Sequence, residues 1–297
     1  MESTLGKRLI KLRYPAWFIL PFLIIFGVLY LFPTLSGFYY SFTDWNLLRD
    51  TDIRFIGFDQ FRMLFQSGEI WNALEHTFIY AALVTVLQNV FGFGLALVLN
   101  SVMPGKTLLR AIFFTPMILS ALIVGYMFTS IYHPTGLLNQ FLSTIGLGFL
   151  QQEWLGNADI ALYSVIMAGV WQSTGFSMAI YLAGLQTVPK DMLEAAEIDG
   201  ATYWQRLKSI LIPFVAPSFT INIVYSTVTS LKVFDLIFVM TKGGPGDSTE
   251  VMNSFVLKQF GRGMYGYGTA ANLILFLIIT AAALLILFFT RRKEMEA

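Results

Sequence analysis

Glu194, Ala195, Ala196 and Glu197, followed by Ile198, Asp199 and Gly200, form the segment of this chain best suited to acting on another molecule. The two glutamates lie three apart, so on a helix they share a face and can pair with basic groups of a partner. The alanines between them are small enough for close backbone approach. Gly200 is the residue type that ends a helix in a left-handed turn. Pro189 precedes the segment and Asp191 is placed as N-cap, so a short helix is expected through Met192–Ile198, stopping at Gly200. A second helix should then lead through Trp204, Arg206 and Lys208 to Pro213. Such residues dock and transmit force; they do not make or break bonds. On these local features alone, an ordinary amphipathic helix lying on a membrane face explains them equally well.

A second group is polar without being charged. Gln172, Ser173, Thr174 and Gly175 stand beside Trp171 and Phe176, while Ser226, Thr229 and Ser230 close another apolar stretch. Hydroxyls and amides next to aromatic rings suit a neutral polyol, whose hydroxyls they match and whose sugar faces the rings stack on. The same small polar residues also serve helix packing in a membrane, and the residue types by themselves favour that reading. Catalytic groups are not expected. The apolar stretches hold no His/Asp/Glu cluster or Ser-centred motif to activate water or a nucleophile, and no metal site is expected. No G-x-x-x-x-G-K-[ST] phosphate loop occurs, and the chain contains no cysteine. His76 and His133 fall at the ends of apolar runs, where a histidine is ordinarily solvated or interfacial.

The elements that must position these groups belong in lipid. Of 297 residues, 56% are hydrophobic and only 12% are charged. Six apolar runs are long enough to cross a bilayer, at 16–42, 77–99, 108–132, 160–185, 210–231 and 267–290. The expected fold is therefore an all-α membrane protein of six spans. The first run is too long and aromatic for a signal peptide and is read as an uncleaved span. Twelve of the 19 Lys and Arg residues cluster on one side, at Lys7, Arg8, Lys11, Arg13, Lys106, Arg110, Lys190, Arg206, Lys208, Arg291, Arg292 and Lys293. This excess places both termini and the Glu194 segment in the cytoplasm. The organisation expected is a cytoplasmic segment 1–15, a six-span domain 16–290 carrying a cytoplasmic loop at 186–209, and a tail 291–297. Scattered basic residues and a net charge of +1 leave no footprint for nucleic acid.

No ionisable residue falls in the central part of any run; Gln88, Asn89, Gln172, Asn222 and Asn272 are the most polar groups there. A proton-coupled transporter would keep an acid or histidine near the midplane, so that mode of energisation is disfavoured. A secondary transporter of another kind, or a membrane scaffold, stays open. Outside the membrane, residues 44–71 are compatible with a segment folded onto the bundle or with a solvated connector. Residues 137–142 form an amphipathic stretch able to lie at the interface. Gly92, Gly94 and Ala96, and Gly268, Ala270 and Ala271, offer small-residue faces for packing. Lys232 and Asp235, just beyond the fifth run, could pair with each other or meet an external protein.

The acidic-Ala-Ala start, a glycine after Asp199 and the Ile-x-x-Pro entry into the next run resemble the EAA loop of ABC importer permeases. Residues 185–206 look like the corresponding stretch of carbohydrate-type, binding-protein-dependent permeases. Two further segments are similar to that family: Arg110-Ala111-Ile112-Phe113-Phe114-Thr115-Pro116, and the Thr241-Lys242-Gly243-Gly244-Pro245 turn, which resembles the MalF- or UgpA-like subunit. The resemblance implies the type I importer architecture in a prokaryotic inner membrane. It implies a second, MalG-like permease, two ATP-binding subunits and an extracytoplasmic solute-binding protein, with ATP and magnesium held by the partner ATPases and no cofactor on this chain. Glu194, Ala195, Ala196, Glu197, Asp199 and Gly200 would couple to an ATPase. Solute would pass near Gln172, Ser173, Phe176, Ser226, Thr229, Ser230 and Val233.

Overall fold

The computed structural model describes residues 16–48, 52–101 and 103–296; the expected cytoplasmic segment 1–15, Arg49 and the side chains of the tail 291–297 lie outside what is described. Long helices dominate. They are α1 (Trp17–Tyr40), α2 (Asp59–Ser67), α3 (Glu69–Asn100), α4 (Lys106–Ile118), α5 (Ala121–Ile131) and α6 (Leu137–Thr144). There follow α7 (Ala161–Leu185), α8 (Lys190–Ile198), α9 (Tyr203–Leu231), α10 (Asp235–Met240), α11 (Met252–Gly261) and α12 (Tyr265–Glu296). Among the described residues the β-structure found is one isolated bridge between Thr43 and Phe55.

Among the described residues five helices are long and apolar enough to cross a membrane, α1, α3, α7, α9 and α12. The sixth expected span differs. Instead of one rod over 108–132, the chain forms α4 and α5, bent by 99° across Leu119 and Ser120. Pro116 contributes no amide hydrogen to α4, Leu119 and Ser120 turn extended, and the Ser120 hydroxyl accepts from the Leu122 amide at 3.3 Å to start α5. The two legs then find different neighbours, α4 on α7 and α5 on α10. Other boundaries move outward: α3 begins at Glu69, not 77, and α9 at Tyr203, not 210. Wide π-type turns at Gly27–Leu31 and Leu207–Leu211 each precede a proline, Pro33 and Pro213. The wide turn makes room where a proline ring would crowd the carbonyl four residues back.

Residues 44–71 fold onto the bundle, so the solvated-connector alternative is not realised. Leu64 of α2 and Ile70 of α3 are fully buried among Met252, Phe255, Tyr267 and Ala271 of α11 and α12. Two other apolar clusters stack along the axis of α3 and α7. One gathers Tyr80, Val84, Val165, Ile166, Leu236 and Ile237; the other, towards α8, gathers Ala96, Leu99, Tyr181, Leu185, Leu207 and Val215. The pairing of α3 with α7 is the most extensive in the molecule, and a side chain at Gly92 would collide with Ser177, so the glycine sets how closely the two approach. Gly94 meets no such neighbour and lines an open apolar groove with Phe91, Phe113 and Trp171.

Candidate functional site

Helix α8 carries the acidic and alanine residues and protrudes from the bundle. It begins at Lys190, two residues earlier than the sequence suggests. Pro189, with φ −61° and ψ 128°, takes the cap position, and Asp191 makes no cap hydrogen bond; it sits inside the first turn, where a carboxylate is favoured by the unpaired amides. At the other end Gly200 adopts φ 78°, its N–H donates to the Glu197 carbonyl at 3.0 Å, and the Ala201 N–H donates to the Ala196 carbonyl at 2.9 Å. These paired bonds satisfy the last carbonyls of the helix and turn the chain sharply. A capping box starts α9 two residues later: the Gln205 side chain accepts from the Thr202 N–H at 2.7 Å, and the Thr202 hydroxyl accepts from the Gln205 N–H at 3.4 Å. Shape here is written entirely in local residues.

Little of α8 packs on its own chain. Leu193 contacts the apolar cluster, Ala196 is half-buried, and Glu194, Ala195, Glu197 and Asp199 are exposed. Glu197 accepts from Arg206 at 2.9 Å, so the expectation that both glutamates await a partner is split: one is tied to the base of α9, and Glu194 enters none of the ion pairs among the described residues. Ile198 is 87% exposed and Trp204 74%, with Met192 and Tyr203 beside them. The sequence did not single out these apolar residues beside the acidic ones, although large apolar groups inside a charged loop are the available signal.

The uncharged polar residues divide between a buried layer and a cleft. Between the two apolar clusters, Gln88 donates to Ser177 Oγ at 3.1 Å, Asn89 donates to Ser226 Oγ at 3.0 Å, and Tyr181 donates its hydroxyl to Asn89 Oδ1 at 2.6 Å. Asn222 donates to the Ser177 carbonyl at 3.2 Å, while its own Oδ1 is buried without a partner. The layer thus joins α3, α7 and α9 by hydrogen bonds that lipid would not supply. Beside it lies a cleft of about 200 Å³ bordered by Gln172, Ser173, Thr229, Ser230 and Val233, with Tyr80, Gln88, Lys232 and Asp235. Five of the seven predicted pathway residues therefore converge. Ser226 belongs to the layer instead, and Phe176 packs against Tyr225 with the rings tilted by 36° and their centroids 4.4 Å apart. Tyr80 was not anticipated; a lone tyrosine in an apolar run carries no distinguishing signal. Lys232 and Asp235 do not pair with each other among the described ion pairs.

Within the cleft two hydroxyls are spent on their own helices, Ser173 on the Gly169 carbonyl at 2.7 Å and Thr229 on that of Tyr225 at 2.8 Å. Gln172 reaches further. Its Nε2 donates to the Leu119 carbonyl at 3.0 Å, satisfying a backbone group freed by the bend between α4 and α5. Past the cleft, the Thr241–Pro245 turn is closed by a 2.7 Å contact between the Thr241 and Thr249 hydroxyls. Lys258 pairs with Asp247 at 3.0 Å and Glu250 at 3.1 Å, and His76 is half-buried with Nδ1 against the Glu250 carbonyl at 3.1 Å. Burial pushes the Glu250 carboxyl above the usual carboxylate range despite Lys258. For Lys258 burial acts downward, and the two carboxylates outweigh it and hold the ammonium above its ordinary value.

Residues 88–294 match the family described as binding-protein-dependent transport system inner membrane component. A trehalose/maltose transport system permease of Thermococcus litoralis is 32% identical, covering 94% of this chain and 93% of its own. A multiple sugar-binding transport system permease of Streptococcus mutans is 34% identical over 90% and 92%. A probable permease for starch degradation products from Thermoanaerobacterium thermosulfurigenes is 30% identical over 94% of each chain. Among solved structures, a chain of a bacterial ABC transporter involved in import of the acidic polysaccharide alginate superposes with a TM-score of 0.81 at 24% identity, covering 98% and 99% of the two chains. That likeness establishes the fold.

Proposed function

We infer, for a chain that belongs to the binding-protein-dependent transport system inner membrane component family, that its solute is a neutral sugar or related polyol and that 194–200 is its coupling element. As a member of that family it is a membrane-spanning permease subunit of an ATP-driven importer, not an enzyme in itself. Membership leaves no room for a scaffold or a secondary transporter. The sugar class is supported by the names of the relatives and by a cleft that gathers the amide and hydroxyl groups of Gln172, Ser173, Thr229 and Ser230, alongside Lys232 and Asp235.

Connectivity carries the coupling proposal. Helix α8 is the covalent link between α7 and α9, the two helices that supply Ser177, Asn222 and Ser226 to the buried layer and Gln172, Ser173, Thr229 and Ser230 to the cleft. A displacement of α8 therefore acts on both walls at once. We place α8 and both termini in the cytoplasm, on the count of basic residues, with an ATPase gripping Glu194 through Gly200 and a second such helix coming from a MalG-like partner permease. Nucleotide and magnesium would sit on the ATPases, and an extracytoplasmic binding protein would deliver solute to the cleft. The layer then acts as the closed barrier beneath it. Opening exchanges amide and hydroxyl bonds between helices for bonds to solute hydroxyls, and each such bond is worth only about 1 kcal/mol net, so the exchange is nearly balanced. The organisation we propose is a cytoplasmic segment 1–15, a six-span domain 16–290 with the cytoplasmic loop 186–209, and a tail 291–297.

The test is a reconstituted complex carrying Gly200→Asp or Glu194→Lys. Solute-stimulated ATP hydrolysis should be lost while the subunits still assemble in the membrane. Full hydrolysis and uptake by either variant would remove α8 from the coupling role.

A further inference from the structure

Helix α6 lies at the end of the bundle opposite α8, since α7 separates them by 25 residues, about 37 Å at 1.5 Å per residue. Its eight residues are divided around the helix. Leu138, Asn139 and Leu142 face inward, and Leu138 packs against the cluster that contains Tyr132 and Trp154. Gln140, Ser143 and Thr144 form an exposed polar flank, and Leu137, Phe141 and Ile145, one helical turn apart, form an exposed apolar flank. Leu137 is 68% exposed, Phe141 60% and Ile145 49%, and the exposed Phe149 and Leu150 follow them in the chain.

The orientation of that flank is fixed. Asn139 is buried and donates to the carbonyls of Pro134 and Gln152 at 3.0 Å each, accepts from Trp154 Nε1 at 2.8 Å, and offers its carbonyl to Gln151 at 2.7 Å. A tether of five residues, 132–136, joins α6 to the end of α5. It includes a tight turn in which the Gly136 N–H donates to the His133 carbonyl at 2.7 Å. The helix is thus strapped at the level where α5 ends and α7 begins. The outward faces of those helices are themselves apolar and exposed at Ile123, Tyr126, Tyr163 and Met167.

We propose that Leu137 and Phe141 of α6 and its capping residue Ile145, extended by Phe149 and Leu150, seat in the headgroup and acyl boundary of the bilayer leaflet farthest from α8, anchoring this end of the permease to lipid. Segregation of an apolar from a polar flank on a short surface helix is the pattern of an interfacial anchor. Charge argues for lipid over a protein partner. Residues 134–152 contain no Asp, Glu, Lys, Arg or His, whereas a docking surface for a soluble protein normally carries a charged or polar rim that steers encounter. The flank also continues the apolar belt of α5 and α7, which family membership places in the membrane.

Because the chain has no cysteine, a thiol introduced at one position is its sole labelling site. Spin labels at Leu137→Cys, Phe141→Cys, Ile145→Cys, Gln140→Cys and Thr144→Cys, in the assembled transporter reconstituted into phospholipid nanodiscs, would be probed with oxygen and with a water-soluble nickel chelate. The oxygen-to-nickel accessibility ratio should be severalfold higher at the three apolar positions than at the two polar ones, with or without binding protein. Equal ratios at all five positions would overturn the proposal in favour of a solvated helix. Protection that arises only when binding protein is added, or exclusion of both probes from the apolar flank, would overturn it in favour of a protein interface.

Discussion

Helix α8 and the buried polar layer both consist of polar residues in a largely apolar chain, and they are completed in opposite ways. In α8 the backbone is finished locally by Pro189, Gly200 and the Thr202–Gln205 box, while its side chains are left facing outward. In the layer the side chains are finished against one another, across helices separated by up to 137 residues of sequence. The proposed coupling helix keeps most of its side chains exposed and fixes its own shape. A segment that must hold spans together in lipid does the reverse, since an amide left unpaired there has no water to turn to.

The strongest test of this contrast is Gly200→Val. At φ 78° a β-branched residue is strained by about 1–2 kcal/mol, and little tertiary packing opposes unwinding of α8. Solute-stimulated hydrolysis should fall by about tenfold or more, the scale of a coupling free energy, while thermal unfolding of the purified subunit stays near wild type. Loss of stability in step with activity would mean that α8 belongs to the core after all.

The reverse pattern is expected for Asn89→Leu, which leaves the Tyr181 hydroxyl without its acceptor and Ser226 without its donor. Its cost is about 1–3 kcal/mol, towards the lower figure inside a membrane, and should appear as a lower unfolding midpoint in detergent. An unchanged midpoint would show the layer to be dispensable for folding.

Gln172→Ala tests the cleft beside the layer. Loss of one hydrogen bond to the Leu119 carbonyl should cost about 1 kcal/mol and slow uptake, with basal hydrolysis unaffected. If uptake kinetics are unchanged, Gln172 only packs. The smallest effect is expected from Arg206→Ala. Its partner Glu197 is exposed, so the pair should contribute below about 0.5 kcal/mol to the unfolding free energy of the isolated chain. A larger loss in assembly with the ATPases than in stability would assign Glu197 to the shared interface.

Outside the spans, Glu250→Gln removes a carboxyl that burial already raises. A group whose pKa is higher folded than unfolded lends its stabilisation below the unfolded value and loses it as pH rises through the folded one. The turn should therefore tighten as pH falls through the carboxylate range, and the glutamine variant should flatten that dependence in a pH series of unfolding midpoints. A wild-type midpoint that falls with acid and a variant that follows it would reverse the assignment.

The legible parts of this molecule were those whose physics is local. Apolar runs long enough for a bilayer and a glycine at the end of α8 depend on neighbours in sequence, so composition and spacing suffice to read them. The cap of α8 was misassigned to Asp191 because Asp191 and Pro189 both fit a helix start, and only the backbone dihedrals choose between them. The bend at Leu119 escaped notice although Pro116 and Ser120 carry its signal, a proline near a helix end followed by a capping serine. An uninterrupted apolar run outweighed them.

By itself the sequence determined that the chain lives in lipid as a bundle of helices, that it has an acidic segment ending in a helix-stopping glycine, and which family that segment resembles. Tertiary structure alone decided how the scattered polar residues divide. Gln88, Asn89, Ser177, Asn222 and Ser226 could each have faced solute, lipid or another helix, and their assembly into one layer depends on the register of α3, α7 and α9, set by close contacts such as Gly92 against Ser177. Hydrogen bonds between spans are short in space and long in sequence. No spacing rule along one helix encodes them, and the packing of three helices does.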